Sequence, residues 1–174
     1  AAENLVSQAL KKIEEISNKE GMSGVPTGFT KVDNLTSGWQ PSDLVILAAR
    51  PGMGKTAFVM SMAKYMAIEF NIPVAIFSLE MSSVQLITRM ISSETGISSE
   101  KLRKGNLEAF EWEILNRKVK NLSEAPVYID DTPSLSIFDL RAKARRLVSQ
   151  HDVKIVVIDY LQLISDIQFK DSRV

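Results

Sequence analysis

Four short, mainly apolar runs punctuate the chain, LVILAA at 44–49, VAIFSL at 74–79, VYID at 127–130 and KIVVIDY at 154–160. Runs of this length, bounded by turn residues, predict strands covered on both faces. Between them apolar residues return every three or four positions, the period of a helix with one buried side. Residues 3–17 lack Gly and Pro and put Leu5, Val6, Ala9, Leu10, Ile13 and Ile16 on one face, with Lys11, Lys12, Glu14 and Glu15 elsewhere. That is an amphipathic helix, and the Gly-containing stretch GMSGVPTGFT sets it off from the body. Its stripe must be covered, either within its own domain or by a neighbouring chain.

Past that stretch, Val32, Leu35, Gly38, Trp39 and Pro41 carry the chain through a turn into the run at 44–49. The segment after Lys55, AFVMSMAKYMAIEF, is apolar nearly all round, as expected of a helix enclosed by a sheet and its neighbours, with methionine as core filler. Asn71 and Pro73 end it. Ser82 and Gln85 form a capping box for a helix reaching Thr95 and stopped at Gly96. A short helix at 99–104 ends at Gly105, and a longer one spans 107–122 with Phe110, Ile114, Val119 and Leu122. Ser136 and Asp139 start the last helix, whose apolar side is Ile137, Leu140, Ala144, Leu147 and Val148. Strand and helix thus alternate four times, predicting an α/β fold with a mainly parallel sheet covered by helices on both faces. Ligands in such folds gather at the carboxyl ends of the strands.

Composition narrows the class without naming a partner. The 174 residues are 45% apolar and 24% charged, enough for a sizeable core, and 21 basic residues balance 21 acidic ones. No global field advertises a nucleic acid or a membrane surface, so any such binding needs a local patch. Cysteine is absent, which excludes disulfides and thiolate metal sites and fits a reducing compartment. No apolar run is long enough to span a bilayer, and the N-terminal helix lacks a signal-peptide centre. The expectation is a soluble, intracellular protein.

The chemistry concentrates where the first run breaks into Arg50, Pro51, Gly52, Met53, Gly54, Lys55, Thr56 and Ala57. A strand running through glycines into a helix is the context of a phosphate loop. Backbone N–H groups at the helix N-terminus cradle anionic oxygens, Lys55 reaches the β and γ phosphates, and the Thr56 hydroxyl ligates Mg²⁺. The pattern G-x-x-x-x-G-K-[ST] places Ala49 where its first glycine belongs. Asp159, delivered by the apolar run at 155–158, is a carboxylate that needs a partner and is assigned to Mg²⁺ through a water. Tyr160 stands next to it, where many ATPases carry the acid that activates water. Glu80, the first charged residue after the second run, is the candidate for that role. Asp130 and Asp131 read as turn caps. His151 and the basic residues Arg141, Lys143, Arg145 and Arg146 read as solvated positions.

Taken together, PTGFTKVDNLTSGWQPSDLVILAARPGMGKT, FSLEMS and VIDYLQLI resemble the ATPase domain of bacterial replicative DNA helicases of the DnaB type, a RecA-like P-loop motor. The resemblance runs from about Gly24 to Ile164. The alanine at 49 is typical of that family, and Ser42 replaces a usual glycine. By this resemblance ATP and Mg²⁺ are the cofactors, Lys55 and Thr56 serve them, Glu80 activates the water and Asp159 is the Walker B acid. Gln162 would relay the nucleotide state. Residues 1–20 would be a linker helix docking on a neighbouring subunit, and 21–174 the ATPase core, incomplete at its C-terminal end. The implied partners are single-stranded DNA, further copies in a ring hexamer, primase and a helicase loader, with no membrane and a cytoplasmic place at the nucleoid. The DNA-facing loops and arginine finger would lie beyond Val174. Three other readings remain open at this point: a RecA-like recombination or repair ATPase, a nucleotide-binding assembly module, and a small-molecule kinase, for which no arginine-rich lid stands out.

Overall fold

A computed structural model describes residues 2–17 and 21–164; residues 1, 18–20 and 165–174, at the ends of the two expected segments, lie outside the described residues. The chain divides into two compact units, Ala1–Val45 and Ile46–Val174.

In the first unit α1 spans Ala2–Ser17 and buries none of its residues, so Leu5, Val6, Leu10, Ile13 and Ile16 form an exposed stripe. After it, Val25 pairs antiparallel with Trp39. Gly24 and Gly38 face each other at that crossing, where a Cβ on Gly38 would stand 2.7 Å from the Val25 carbonyl oxygen. Only glycine allows two backbones so close. A seven-residue helix, α2 (Thr30–Thr36), occupies the region read as a turn. Side chains hold it in place of a periodic apolar face. Asp33 Oδ1 accepts from the Thr27 N–H at 2.8 Å, and Thr36 Oγ1 donates to the Val32 carbonyl while accepting from the Gly38 N–H.

The second unit is built on three parallel strands, β1 (Val74–Ser78), β2 (Val127–Asp130) and β3 (Ile155–Asp159), in the order β2-β1-β3. The register aligns Val74 with Val127 and Ile155, and Ser78 with Asp159. The central strand is buried along its whole length. Ala75 and Phe77 join Leu135, Leu140 and Val153 in one cluster, against α7 (Ile137–His151). Val74 and Ile76 alternate to the other face, where α3 (Lys55–Glu69) contributes Met60, Met62, Ala63, Met66 and Ala67 to the core. Helices α4 (Ser83–Thr95), α5 (Ser99–Lys104) and α6 (Ala109–Glu124) connect β1 to β2, with α4 and α6 packed on α3. Both bonds of the predicted Ser82–Gln85 capping box form, and Gly96 ends α4 in the left-handed conformation. The α/β architecture with a parallel sheet and helices on both faces is therefore as expected.

One predicted strand is absent. Residues 44–49 adopt no ladder pairing, and the sheet has three described strands where four were expected. Leu44 is 87% and Ile46 77% exposed. An apolar run states that its side chains gain from cover, whereas a strand needs a neighbour whose N–H and C=O groups meet its own in register. Neither described sheet edge, β2 or β3, takes this run. A turn precedes it, with Ser42 at φ 74, the conformation for which glycine is the usual residue.

Candidate active site

In the loop between the apolar run and α3 both glycines take the left-handed conformation. Gly52 and Gly54 hold φ 77 and 86, and no heavy atom lies within 4 Å of a Cβ built on either. The glycines therefore serve backbone conformation in open space. Gly54 is also the N-cap of α3 and offers no side chain to its first turn. The N–H groups of Lys55, Thr56 and Ala57 have no side-chain cap, and at the positive end of a 15-residue helix they suit an anion. Arg50, Pro51 and Met53 are exposed around this opening.

Folding brings β3 to the same place. Thr56 Oγ1 donates to Asp159 Oδ2 at 2.7 Å across 103 residues of sequence. Lys55 Nζ lies 3.8 Å from Asp159 Oδ1 and 4.5 Å from the centroid of the Tyr160 ring. Asp159 is only 7% exposed, so its carboxylate is stabilised by these two partners and not by bulk water. The ring face attracts the ammonium as well. This role of Tyr160 was missed because its sequence signal was only adjacency to Asp159.

A hydroxyl and a carboxylate oxygen 2.7 Å apart are a hard-donor set suited to Mg²⁺, which takes one or two protein oxygens and fills the rest of its shell with water and phosphate. Among the described residues no group of three or more His, Asp and Glu could hold a metal by itself. Thr56 and Asp159 are a pair that could hold such an ion together with water and phosphate.

Glu80 comes to the same sheet edge along a different path. Ser78 is in register with Asp159, and the Leu79 N–H donates to the Asp159 carbonyl at 2.9 Å. Glu80 follows, exposed and outside all the ion pairs among the described residues. Gln162 is exposed within a single 3₁₀ turn, Leu161–Leu163.

Asp130, which ends β2, and Asp131 after it are both engaged in structural bonds. Asp131 Oδ2 accepts from the Ser83 N–H at 2.7 Å, and that bond holds its carboxyl below the usual range. Burial pushes the Asp130 carboxyl up, but the bonds from Lys143 at 2.6 Å and from Thr132 more than offset it, so it too titrates low. Lys143 is accordingly not a solvated position but a fastener between α7 and β2, while Arg141, Arg145 and Arg146 are exposed. The exposed His151 stacks on Tyr128, with ring centroids 4.4 Å apart.

Comparison with known proteins adds a family to this geometry. The replicative DNA helicase DnaB of Geobacillus stearothermophilus is 48% identical over 162 residues, which cover 92% of this chain and 36% of that protein. The replicative DNA helicase DnaC of Bacillus subtilis strain 168 is 43% identical over 172 residues, 98% of this chain and 38% of that one. The chain thus spans little more than a third of these relatives. Among solved structures, an ATPase domain superposes with a TM-score of 0.87 at 30% identity, covering 99% of this chain and 61% of that one. A DnaB-like replicative helicase studied for its interactions with primase gives 0.84 at 32% identity, covering 94% and 41%. No helix among the described residues is long and apolar enough to cross a membrane. Residues 24–174 match the DnaB-like helicase C-terminal domain, and the chain belongs to that family.

Proposed function

We propose that this chain is the ATP-hydrolysing motor portion of a replicative DNA helicase, which couples ATP turnover to movement along single-stranded DNA and to duplex unwinding. The observation that carries the reading is the meeting of Thr56, Lys55 and Asp159, because it joins an open helix N-terminus to a metal-binding pair. Backbone N–H groups of Gly52, Gly54, Lys55, Thr56 and Ala57, in the loop from Arg50 to Ala57, bind the phosphates, and Lys55 neutralises the β and γ oxygens. Thr56 and Asp159 hold Mg²⁺, which when bound supplies charge neutralisation to the transferring phosphoryl group. Before ATP enters, Asp159 keeps the Lys55 ammonium and the Thr56 hydroxyl oriented toward the site. Glu80, in no ion pair among the described residues and at the same sheet edge, orients and deprotonates the attacking water. Gln162, one short turn beyond Asp159, senses the nucleotide state.

The exposed apolar stripe of α1 supports residues 1–20 as a linker helix that docks on a neighbouring subunit of a ring hexamer. Residues 21–174 belong to the ATPase core of that subunit. Primase and a loader are further partners on this reading.

The test uses the full-length protein, measuring ATP turnover with and without single-stranded DNA alongside unwinding of a forked duplex. Lys55→Ala abolishes turnover. Glu80→Gln keeps nucleotide binding and lowers kcat by about a hundredfold or more, the range of a lost general base. Undiminished turnover in Glu80→Gln removes Glu80 from the mechanism, and turnover indifferent to DNA overturns the helicase reading.

A further inference from the structure

We infer that Ser78 is a positioning residue for Glu80, setting the carboxylate by closing the turn that carries it; this rests on the reading of Glu80 given above. Ser78 is the only polar residue of β1 and is 2% exposed. A buried hydroxyl without a partner costs free energy, so its bonds show what it is there to do. Ser78 Oγ donates to the Met81 carbonyl at 2.7 Å and accepts from the Met81 N–H at 3.2 Å. One hydroxyl thus occupies both backbone groups of the residue after Glu80.

The rest of the turn is fastened as well. The Leu79 N–H bonds the Asp159 carbonyl, the Ser82 N–H bonds Gln85 Oε1 at 3.1 Å, and the Ser83 N–H bonds Asp131 Oδ2. Backbone groups on both sides of Glu80 are committed, while its own side chain is exposed and in no ion pair among the described residues. A catalytic carboxylate must be held close to its productive geometry, and an ångström of drift costs about a hundredfold in rate. Replacing Ser78 by alanine frees both Met81 groups and releases the turn on the side of Glu80 that faces α4. The fault is local, because Leu79 stays bonded to Asp159 and α4 keeps its cap.

The experiment is a double-mutant cycle in the full-length protein, with kcat, KM for ATP and nucleotide affinity read separately. Ser78→Ala lowers kcat by about ten- to a hundredfold while KM and nucleotide affinity stay within about twofold. Ser78→Cys, close in shape and a weak hydrogen-bonding group, recovers part of kcat, and it is the variant to read if alanine fails to fold. In the Glu80→Gln background Ser78→Ala lowers kcat no further, since it acts through the group already removed. Equal proportional losses in both backgrounds, or a loss of nucleotide affinity matching the loss of kcat, overturn the inference. Full turnover in Ser78→Ala beside a dead Glu80→Gln also overturns it and leaves Glu80 in place. An active Glu80→Gln fails the underlying reading instead.

Discussion

Of the apolar runs that lead straight into candidate site residues, those at 44–49 and 74–79 fold differently. Residues 74–78 become the buried centre of a parallel sheet, and the turn after them is tied at Leu79, Met81, Ser82 and Ser83. Residues 44–49 are as apolar but lie unpaired and exposed, and the loop after them keeps open space around both of its glycines. Hydrophobicity is nearly the same in both. The difference is that β1 has a hydrogen-bonding partner on each side and helices over each face. The two following turns differ in the same sense: one presents a side chain, Glu80, from a fastened backbone, while the other presents the backbone itself.

The largest effect expected from this contrast is on stability. Phe77 is fully buried between β1's neighbours and α7, so Phe77→Ala should destabilise by about 3–5 kcal/mol. Ile46 is mostly exposed, and Ile46→Ala should change stability by ~0.5 kcal/mol or less. Urea unfolding of both variants measures the difference. Equal losses would show that residues 44–49 are covered as fully as β1, and the contrast would fall.

A second effect, smaller and reaching one of the two turns but not the other, depends on pH. The turn after β1 leans on Asp131, held low by its bond from the Ser83 N–H. Asp130, where burial is outweighed by Lys143 and Thr132, and Glu94, where burial is outweighed by Lys64 and Lys118, are lowered too. A carboxyl lowered by folding adds stability that is fully present above its unfolded value, about 4, and is lost as pH falls through the folded value. Stability should therefore drop on acidification below about pH 4. The Ser83 amide resonance should titrate with Asp131 in that range. The Met53 amide, bonded to the Arg50 carbonyl, should not follow it. A Ser83 midpoint at the ordinary aspartate value, about 3.9, would show that the bond does not hold Asp131 in solution.

The legible parts of this molecule were those whose signal is local. The capping box of Ser82 and Gln85, the Gly96 stop and the Ser136 cap are short patterns that specify their own hydrogen bonds, and each forms. Lys55 and Thr56 were legible as candidates because a phosphate-loop pattern is contiguous in sequence, and Asp159 because a carboxylate ending an apolar strand needs a partner. The meeting of Thr56 with Asp159 could be expected but not measured, since it depends on the register of β3 against β1. What failed depends on long-range partners. The run at 44–49 does not encode which edge would pair with it. α2 is held by Asp33 and Thr36, which carry no helical period. Lys143 looked like its arginine neighbours until β2 placed Asp130 beside it. Ser78 did leave a signal, one hydroxyl in an otherwise apolar strand, and the buried-polar rule was enough to have found it.

The smallest effect isolates what the open loop asks of its glycines. Gly54 and Gly96 are matched in conformation, with φ 86 and 77, and in space, with nothing within 4 Å of a built Cβ. An alanine at either position is strained by its left-handed backbone, at a cost of about 1–2 kcal/mol. Stability therefore cannot tell the two apart. Function can, on the proposed reading, because Gly54 caps the helix whose first-turn N–H groups would receive the phosphates, whereas Gly96 only ends α4. Gly54→Ala should weaken ATP binding by about tenfold or more, as a methyl group enters the path by which phosphate approaches the backbone. Gly96→Ala should match its loss of stability and bind ATP normally. If both variants bind normally, the space at Gly54 is not phosphate space, and the anion must be held by Lys55 without the backbone cradle.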